Sequence, residues 1–234
     1  MGVRRELRGP RWIAAVVLVA LATAAVWPRG ALATRCPAPA GASPSLETRD
    51  ARERLQWIDA RLTETASRGR TWAWGWALGI GAAGVGSLAA VPFVKREDRV
   101  DWYAGAVSAA IGVVPFVVSP LTVTREAPRL HLALTALPSD DDAGVCPLLV
   151  DAEHKLDASA ANQAWQQGWW IHAGNVAFNT GLLLFLGLGY HHWTSGIING
   201  VAGAAVGEVI IFTQPTSTVD DAALYRRGTW SNAW

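Results

Sequence analysis

Residues 165–215 read WQQGWWIHAGNVAFNTGLLLFLGLGYHHWTSGIINGVAGAAVGEVIIFTQP and contain the pattern that decides the fold. Two apolar runs, each about long enough to cross a bilayer, are joined by a short turn at His191 and His192. The same runs carry several polar side chains and one carboxylate. The sequence therefore predicts two membrane helices, over 168–190 and 193–213, and indicates that a functional site lies between them.

The composition of the whole chain also favours a membrane protein. Only 17% of the 234 residues are charged, against roughly 25% in typical soluble domains. The net charge of +1 provides no basic surface for phosphates, so nucleic acid is excluded as a partner. Several of the thirteen tryptophans lie at the ends of apolar runs, where indole rings favour the membrane interface. We expect membrane lipids as the immediate partners.

The first 33 residues have the pattern of a secretory signal. Four arginines within residues 1–11 precede the apolar run 12–27, and Ala31 and Ala33 form a small-x-small cleavage site. An uncleaved signal anchor is the alternative, although a run of 16 residues is short for a spanning helix. Both interpretations place the chain from residue 34 onward outside the cytoplasm of a bacterial inner-membrane protein.

The next part of the chain predicts an amphipathic helix over 46–68 and two spans, over 72–94 and 102–123. Apolar residues in the first of these segments recur among charges at helical spacing. The turn 95–99 reads KREDR, and its basic residues favour the cytoplasmic side of the membrane.

An internal duplication organises these elements. The order CP, DARERL, WAWGW, WYAG in the first half recurs as CP, DAEHKL, WQQGW, WTSG in the second. Each copy, 34–123 and 146–215, crosses the membrane twice, so the two copies have the same orientation. The predicted fold is an all-α four-helix transmembrane bundle of two tandem parallel repeats. An amphipathic extracytoplasmic helix precedes each pair of spans, and the second covers 148–164.

Cys36 and Cys146 occupy equivalent positions in the two copies. Both are predicted to lie outside the cytoplasm, where thiols oxidise, so we expect a disulfide between them. Two unpaired thiols are the alternative.

The segments outside the repeats carry weaker signals. In the loop 124–145, the alternation of leucines over RLHLALTAL predicts a short strand, which PSDDDAG would extend into a β-hairpin within 124–150. The three aspartates at 140–142 lack the alternate spacing of a calcium loop. The tail 216–234 is polar with scattered aromatic residues and is predicted to lie on the membrane surface.

Small residues recur at helical spacing in the spans, which lets membrane helices approach closely, within one chain or between protomers. The predicted small-residue faces are Gly75, Gly79, Ala82 and Gly86; Gly105, Ala109 and Gly112; and Gly196, Gly200, Gly203 and Gly207. We therefore expect packing within the bundle, a homo-oligomer, or contact with another membrane protein.

Cofactor and metal motifs are not convincing. Gly79, Gly81 and Gly84 spell the GxGxxG of dinucleotide sites, but they lie inside an apolar run and not after a buried strand. His191 and His192 lie roughly 29 Å along a helix from His172, too far to share a metal with it. We expect neither a cofactor nor a metal.

The candidate site lies in the second copy alone. His172, Asn175 and Asn179 are three and four residues apart, so they share one face of the third span. Glu208 lies at a similar depth in the fourth span, which predicts a cluster of carboxylate, imidazole and amide near the outer face. Asn179 and Asn199 lie deeper and are predicted to pair.

Three classes of function are compatible with this cluster. The preferred one is a non-enzymatic assembly, scaffold, or lipid- or small-ligand-binding component, in which the cluster orders the bundle or binds a polar group. The second is a proton-coupled transporter or channel element in which Glu208 titrates. The third is an intramembrane enzyme using His172 and Glu208 as acid and base, although the sequence shows no nucleophile for it.

Overall fold

The computed structural model describes residues 34–230, so the predicted signal segment and the last four residues of the tail lie outside the described residues. This part of the chain is helical and contains no strand. Two short 3-10 helices cover Pro44–Thr48 and Val91–Phe93. The seven α-helices are α1 (Ala51–Ala90), α2 (Arg99–Val118), α3 (Thr122–Ala136), α4 (Asp142–Gln166), α5 (Trp169–Tyr190), α6 (Trp193–Thr213) and α7 (Ser217–Arg227).

Four helical segments are long and apolar enough to cross a membrane, so the chain is a multi-pass membrane protein. The spanning parts are the second half of α1 and the helices α2, α5 and α6. The remaining helices and the first half of α1 pack into a polar bundle at one end. We call this bundle the head; it comprises residues 34–70, α3, α4, α7 and Trp230.

Helix α1 joins the head to the membrane without interruption. The side chain of Asp50 caps its start by accepting hydrogen bonds from the backbone N–H groups of Arg52 and Glu53, at 2.8 and 3.1 Å. The predicted break between an amphipathic helix and a first span is absent, because residues 68–72 contain no proline. The 40 residues of α1 correspond to about 60 Å, twice the thickness of a membrane core.

The second span ends earlier than the predicted 102–123. Helix α2 stops at Val118, because Pro120 disfavours helical geometry at the preceding residue. The chain then turns back at Leu121 to begin α3 in the head.

The short strand predicted within 124–145, and with it the β-hairpin, is wrong. These residues form α3 and the start of α4. The alternation of leucines is misleading because Leu132 is 69% exposed, whereas Val123, Ala127 and Leu130 are buried at helical spacing. This buried stripe packs against the rest of the head core.

The end of the chain belongs to the head and not to a surface tail. Helix α7 buries Ala222 and Tyr225, and the tyrosine ring stacks on Trp57 of α1 with centroids 5.8 Å apart. Trp230 is 4% exposed and stacks on the same tryptophan at 5.2 Å. The prediction that residues 216–234 lie on the membrane surface is therefore wrong for the described part of that segment.

The predicted disulfide is confirmed. Cys36 and Cys146 are bonded, with Cα atoms 5.6 Å apart, and the bond ties the segment before α1 to the first turns of α4. It closes a loop of 110 residues, which restricts the unfolded chain strongly.

A buried ionic network fixes the centre of the head. The fully buried Arg54 guanidinium contacts the Glu153 carboxylate at 2.5 Å and donates to the Tyr225 hydroxyl at 2.8 Å. It also donates to the backbone carbonyls of Cys36 and Leu46, and Tyr225 in turn donates to Glu153. A buried charge is tolerated only when it is paired with an opposite charge and hydrogen-bonded in this way.

The membrane part consists of two helical hairpins. In the first hairpin the second half of α1 packs along α2, and in the second hairpin α5 packs along α6. Each hairpin is closely packed internally, whereas α2 touches α5 and α6 only sparsely. The head therefore connects two hairpins that make few contacts with each other.

Candidate functional site

The polar cluster predicted in the second hairpin is assembled by one face of α5 and one face of α6. His172 contacts Glu208 through Nδ1 at 2.5 Å, and the Asn175 amide donates to the other oxygen of Glu208 at 2.9 Å. Asn179 continues the row by donating to the Asn175 side-chain oxygen at 2.9 Å. Both oxygens of the carboxylate are thus hydrogen-bonded across the two helices.

Glycines on α6 make room for these side chains. A Cβ atom added to Gly207 would collide with the Asn175 amide oxygen, and one added to Gly203 would collide with that of Asn179. The α6 face predicted from small residues therefore packs within the monomer, against the polar stripe of α5. On α1, in contrast, Gly75, Gly79 and Gly86 have nothing within 4 Å of an added Cβ atom in the described chain.

The predicted pairing of Asn179 with Asn199 is wrong. Asn199 donates to the backbone oxygen of Ser195 on its own helix, at 2.9 Å. Asn199 directly precedes Gly200, which faces α5. Because consecutive residues of a helix point in directions about 100° apart, Asn199 does not face α5. The Asn199 oxygen therefore lies near Gly105 of the first hairpin instead.

The cluster lies near the end of the second hairpin that meets the head. Its two ionisable side chains, His172 and Glu208, are each 29% exposed. The imidazole ring packs beside Phe212, with centroids 5.3 Å apart. Within residues 34–230 its only hydrogen-bond partner is Glu208.

A cavity of about 520 Å³ lies between the two hairpins, beside the polar cluster and at the end of the hairpins next to the head. Its walls are apolar and include four aromatic side chains: Trp72, Phe116, Trp165 and Phe178. The cluster borders it through Asn175, and the other polar side chains of the lining are Gln166, Gln214 and Ser119. Sequence reasoning missed this cavity, because it depends on how far apart the hairpins lie.

Comparison with known proteins gives no relative. No protein-family model, no curated protein and no solved structure matches the chain.

A second polar cluster joins the hairpins at the end away from the head. His192, just before α6, contacts Asp101 of α2 through Nδ1 at 2.8 Å, and Asp98 lies beside them. One potential ligand atom from each of the three residues lies within 4.8 Å of the others, a spacing that a metal ion could bridge. The histidine nitrogen is already hydrogen-bonded, and the positive ends of two helices disfavour a cation here.

The sequence contained a signal for this second cluster. Asp101 and His192 directly precede Trp102 and Trp193, which begin the motifs WYAG and WTSG of the predicted duplication. We interpret the contact as an ion pair or hydrogen bond between the two turns of the hairpins.

Proposed function

We propose that this chain is a non-enzymatic membrane protein that binds a lipid or another small apolar ligand in the cavity between its two hairpins. The cavity carries the proposal, because an apolar space of about 520 Å³ lies within the range of small-molecule sites. The hairpins touch sparsely around it, so a ligand would supply contacts that the protein lacks.

In this proposal the cluster of His172, Asn175 and Glu208 is structural. It fixes the register of α5 against α6, because both carboxylate oxygens and the asparagine amide are engaged across the hairpin. The second hairpin then forms one stable wall of the cavity.

The proposed setting is a bacterial inner membrane with the head on the extracytoplasmic side. The disulfide in the head supports this orientation, because such bonds persist in oxidising compartments. The basic turn 95–99 lies at the opposite end of the first hairpin, as the positive-inside tendency favours. We also propose that the hairpins are two parallel repeats, each preceded by its own head helix, because the order of the sequence motifs recurs in the two halves of the chain.

Photolabelling of the full-length protein in nanodiscs tests the proposed cavity. The probe is a dodecane chain that carries a diazirine, and the readout is the labelled peptides identified by mass spectrometry. We expect saturable labelling of cavity residues such as Phe116, and at least a fivefold loss in Ala73→Phe, which places an aromatic ring in the cavity.

Ala89→Phe is the matched control, because Ala89 is exposed on the same helix and does not line the cavity. Its labelling should equal that of the wild type. Labelling that never saturates, or that is the same in Ala73→Phe, would overturn the proposed function.

A proton-coupled role is the second candidate, favoured by the partly exposed pair of His172 and Glu208 near one membrane face. In liposomes with a pH gradient, this role predicts a proton flux that Glu208→Gln abolishes and that Glu97→Gln, in the exposed turn, leaves unchanged. If Glu208→Gln instead lowers thermal stability and the wild type shows no flux, the cluster is structural, as the preferred proposal states.

A further inference from the structure

The cavity has a polar end and an apolar end. Gln166 ends α4 and Gln214 directly follows α6, so both amides lie at the head side of the cavity. Ile111 and Phe178 come from the middle of α2 and α5 and line its deeper part. A bound molecule would therefore place its polar group toward the head and its apolar part toward the membrane centre.

Gln214 is the polar group at this end that the protein leaves unsatisfied. The residue is 7% exposed, and its buried side-chain nitrogen has no hydrogen-bond partner in the described chain. A buried amide donor without a partner is energetically unfavourable. Gln214 lines the cavity, so a rotation of its side chain would bring this buried nitrogen to an acceptor oxygen on a bound ligand.

The cavity lining also restricts the charge of the ligand. Within residues 34–230, no side chain that lines the cavity is charged. A carboxylate or phosphate bound there would lose its hydration without gaining a cation, which is strongly unfavourable. The aromatic walls, in which Trp72 and Phe116 meet edge to face with centroids 5.3 Å apart, instead suit a flat or apolar neutral molecule.

We infer that the ligand is an uncharged apolar molecule with a carbonyl oxygen at its polar end, and that Gln214 donates a hydrogen bond to that oxygen. This inference rests on the proposed function, since it concerns the same cavity. Two sources share the required chemistry: an isoprenoid-type quinone and a neutral ester lipid.

Competition against the diazirine-dodecane label tests the inference in nanodiscs. The competitors are decylubiquinone, dioctanoylglycerol, dodecanoate and dodecyl phosphate. We expect at least one of the two neutral carbonyl compounds to displace the label at a concentration at least tenfold lower than either anion. The more effective neutral compound identifies the source.

Gln214→Leu removes the donor while preserving most of the side-chain volume. We expect the label itself to bind as in the wild type, because dodecane has no acceptor, whereas the neutral carbonyl competitor becomes about fivefold weaker. Gln56→Leu, on the exposed surface of the head, should change neither value. Gln214→Met provides an unbranched replacement if the leucine variant does not fold.

The outcomes separate the two proposals. If the wild type shows no saturable label at all, the proposed function fails. If the label binds but Gln214→Leu and Gln214→Met leave the neutral competitor unchanged, or an anion competes best, the carbonyl inference fails while the cavity remains a binding site.

Discussion

The head and the membrane hairpins are held together in different ways. In the head, side chains such as Leu55 and Leu62 are fully buried, a disulfide joins the segment before α1 to α4, and Arg54 contacts three segments of chain. In the membrane, each hairpin packs well internally, but the two are separated by a cavity over part of their length. The position of one hairpin relative to the other is therefore set mainly in the head.

Removing the centre of the head should have the largest effect. Arg54→Met leaves the Glu153 carboxylate buried without its cation, and we expect the free energy of unfolding to fall by about 5 kcal/mol. Chemical denaturation of the full-length protein in detergent, followed by tryptophan fluorescence, measures this loss. Arg68→Met removes an exposed ion pair and should change little. Equal midpoints for the two variants would show that the network does not hold the head.

Opening the disulfide should have the next largest effect. Cys36→Ser releases a loop of 110 residues and should lower the free energy of unfolding by about 4 kcal/mol. The same denaturation experiment measures it, and full reduction of the wild type should reproduce the result. A wild-type protein that is equally stable with and without reductant contradicts this role.

Separating the helices of one hairpin should have a smaller effect. Gly207→Leu pushes α6 away from Asn175 and should destabilise the protein by about 2 kcal/mol, seen as a lower melting temperature in detergent. Gly79→Leu is the matched control, because nothing in the described chain lies within 4 Å of its added Cβ atom. If the two variants have the same melting temperature, the close approach of α5 and α6 is not important for stability.

Breaking the link between the hairpin turns should have the smallest effect on stability. Asp101→Asn weakens the contact with His192, and we expect a loss of at most about 1 kcal/mol, because both side chains are partly exposed to solvent. Spin labels at Lys95 and Tyr190 should nevertheless report a broader distance distribution between the turns. An unchanged distribution would show that the contact between Asp101 and His192 does not set the spacing of the hairpin turns.

Much of the membrane part follows from local sequence patterns. The apolar runs are long enough to identify four spanning segments, and the spacing of His172, Asn175 and Asn179 places them on one helical face. The depth of Glu208 in the antiparallel neighbour brings it to that face, as the hydrogen bonds show. These features depend only on helix geometry and chain direction.

The head was harder to predict because its packing decides between alternatives that the sequence leaves open. The leucines of α3 alternate as they would in a strand, and only their burial in the folded chain shows which of them face the core. Gly69 lies inside α1, whereas Gly168 adopts an extended conformation and separates α4 from α5. Arg54 lies in a charged run, and its burial depends on Glu153, 99 residues away.

The uninterrupted course of α1 makes the head responsive to the thickness of the bilayer. A spanning helix adapts to a thinner or thicker membrane by changing its tilt. About 30 Å of α1 projects into the head, so a change in tilt of 10° would displace the far end of that helix by about 5 Å. The second hairpin has no such rigid extension, because the helical course is broken at Gly168 and again at Gln214. A change in membrane thickness would therefore rotate one hairpin together with the head while the other adjusts separately, which alters the gap between them.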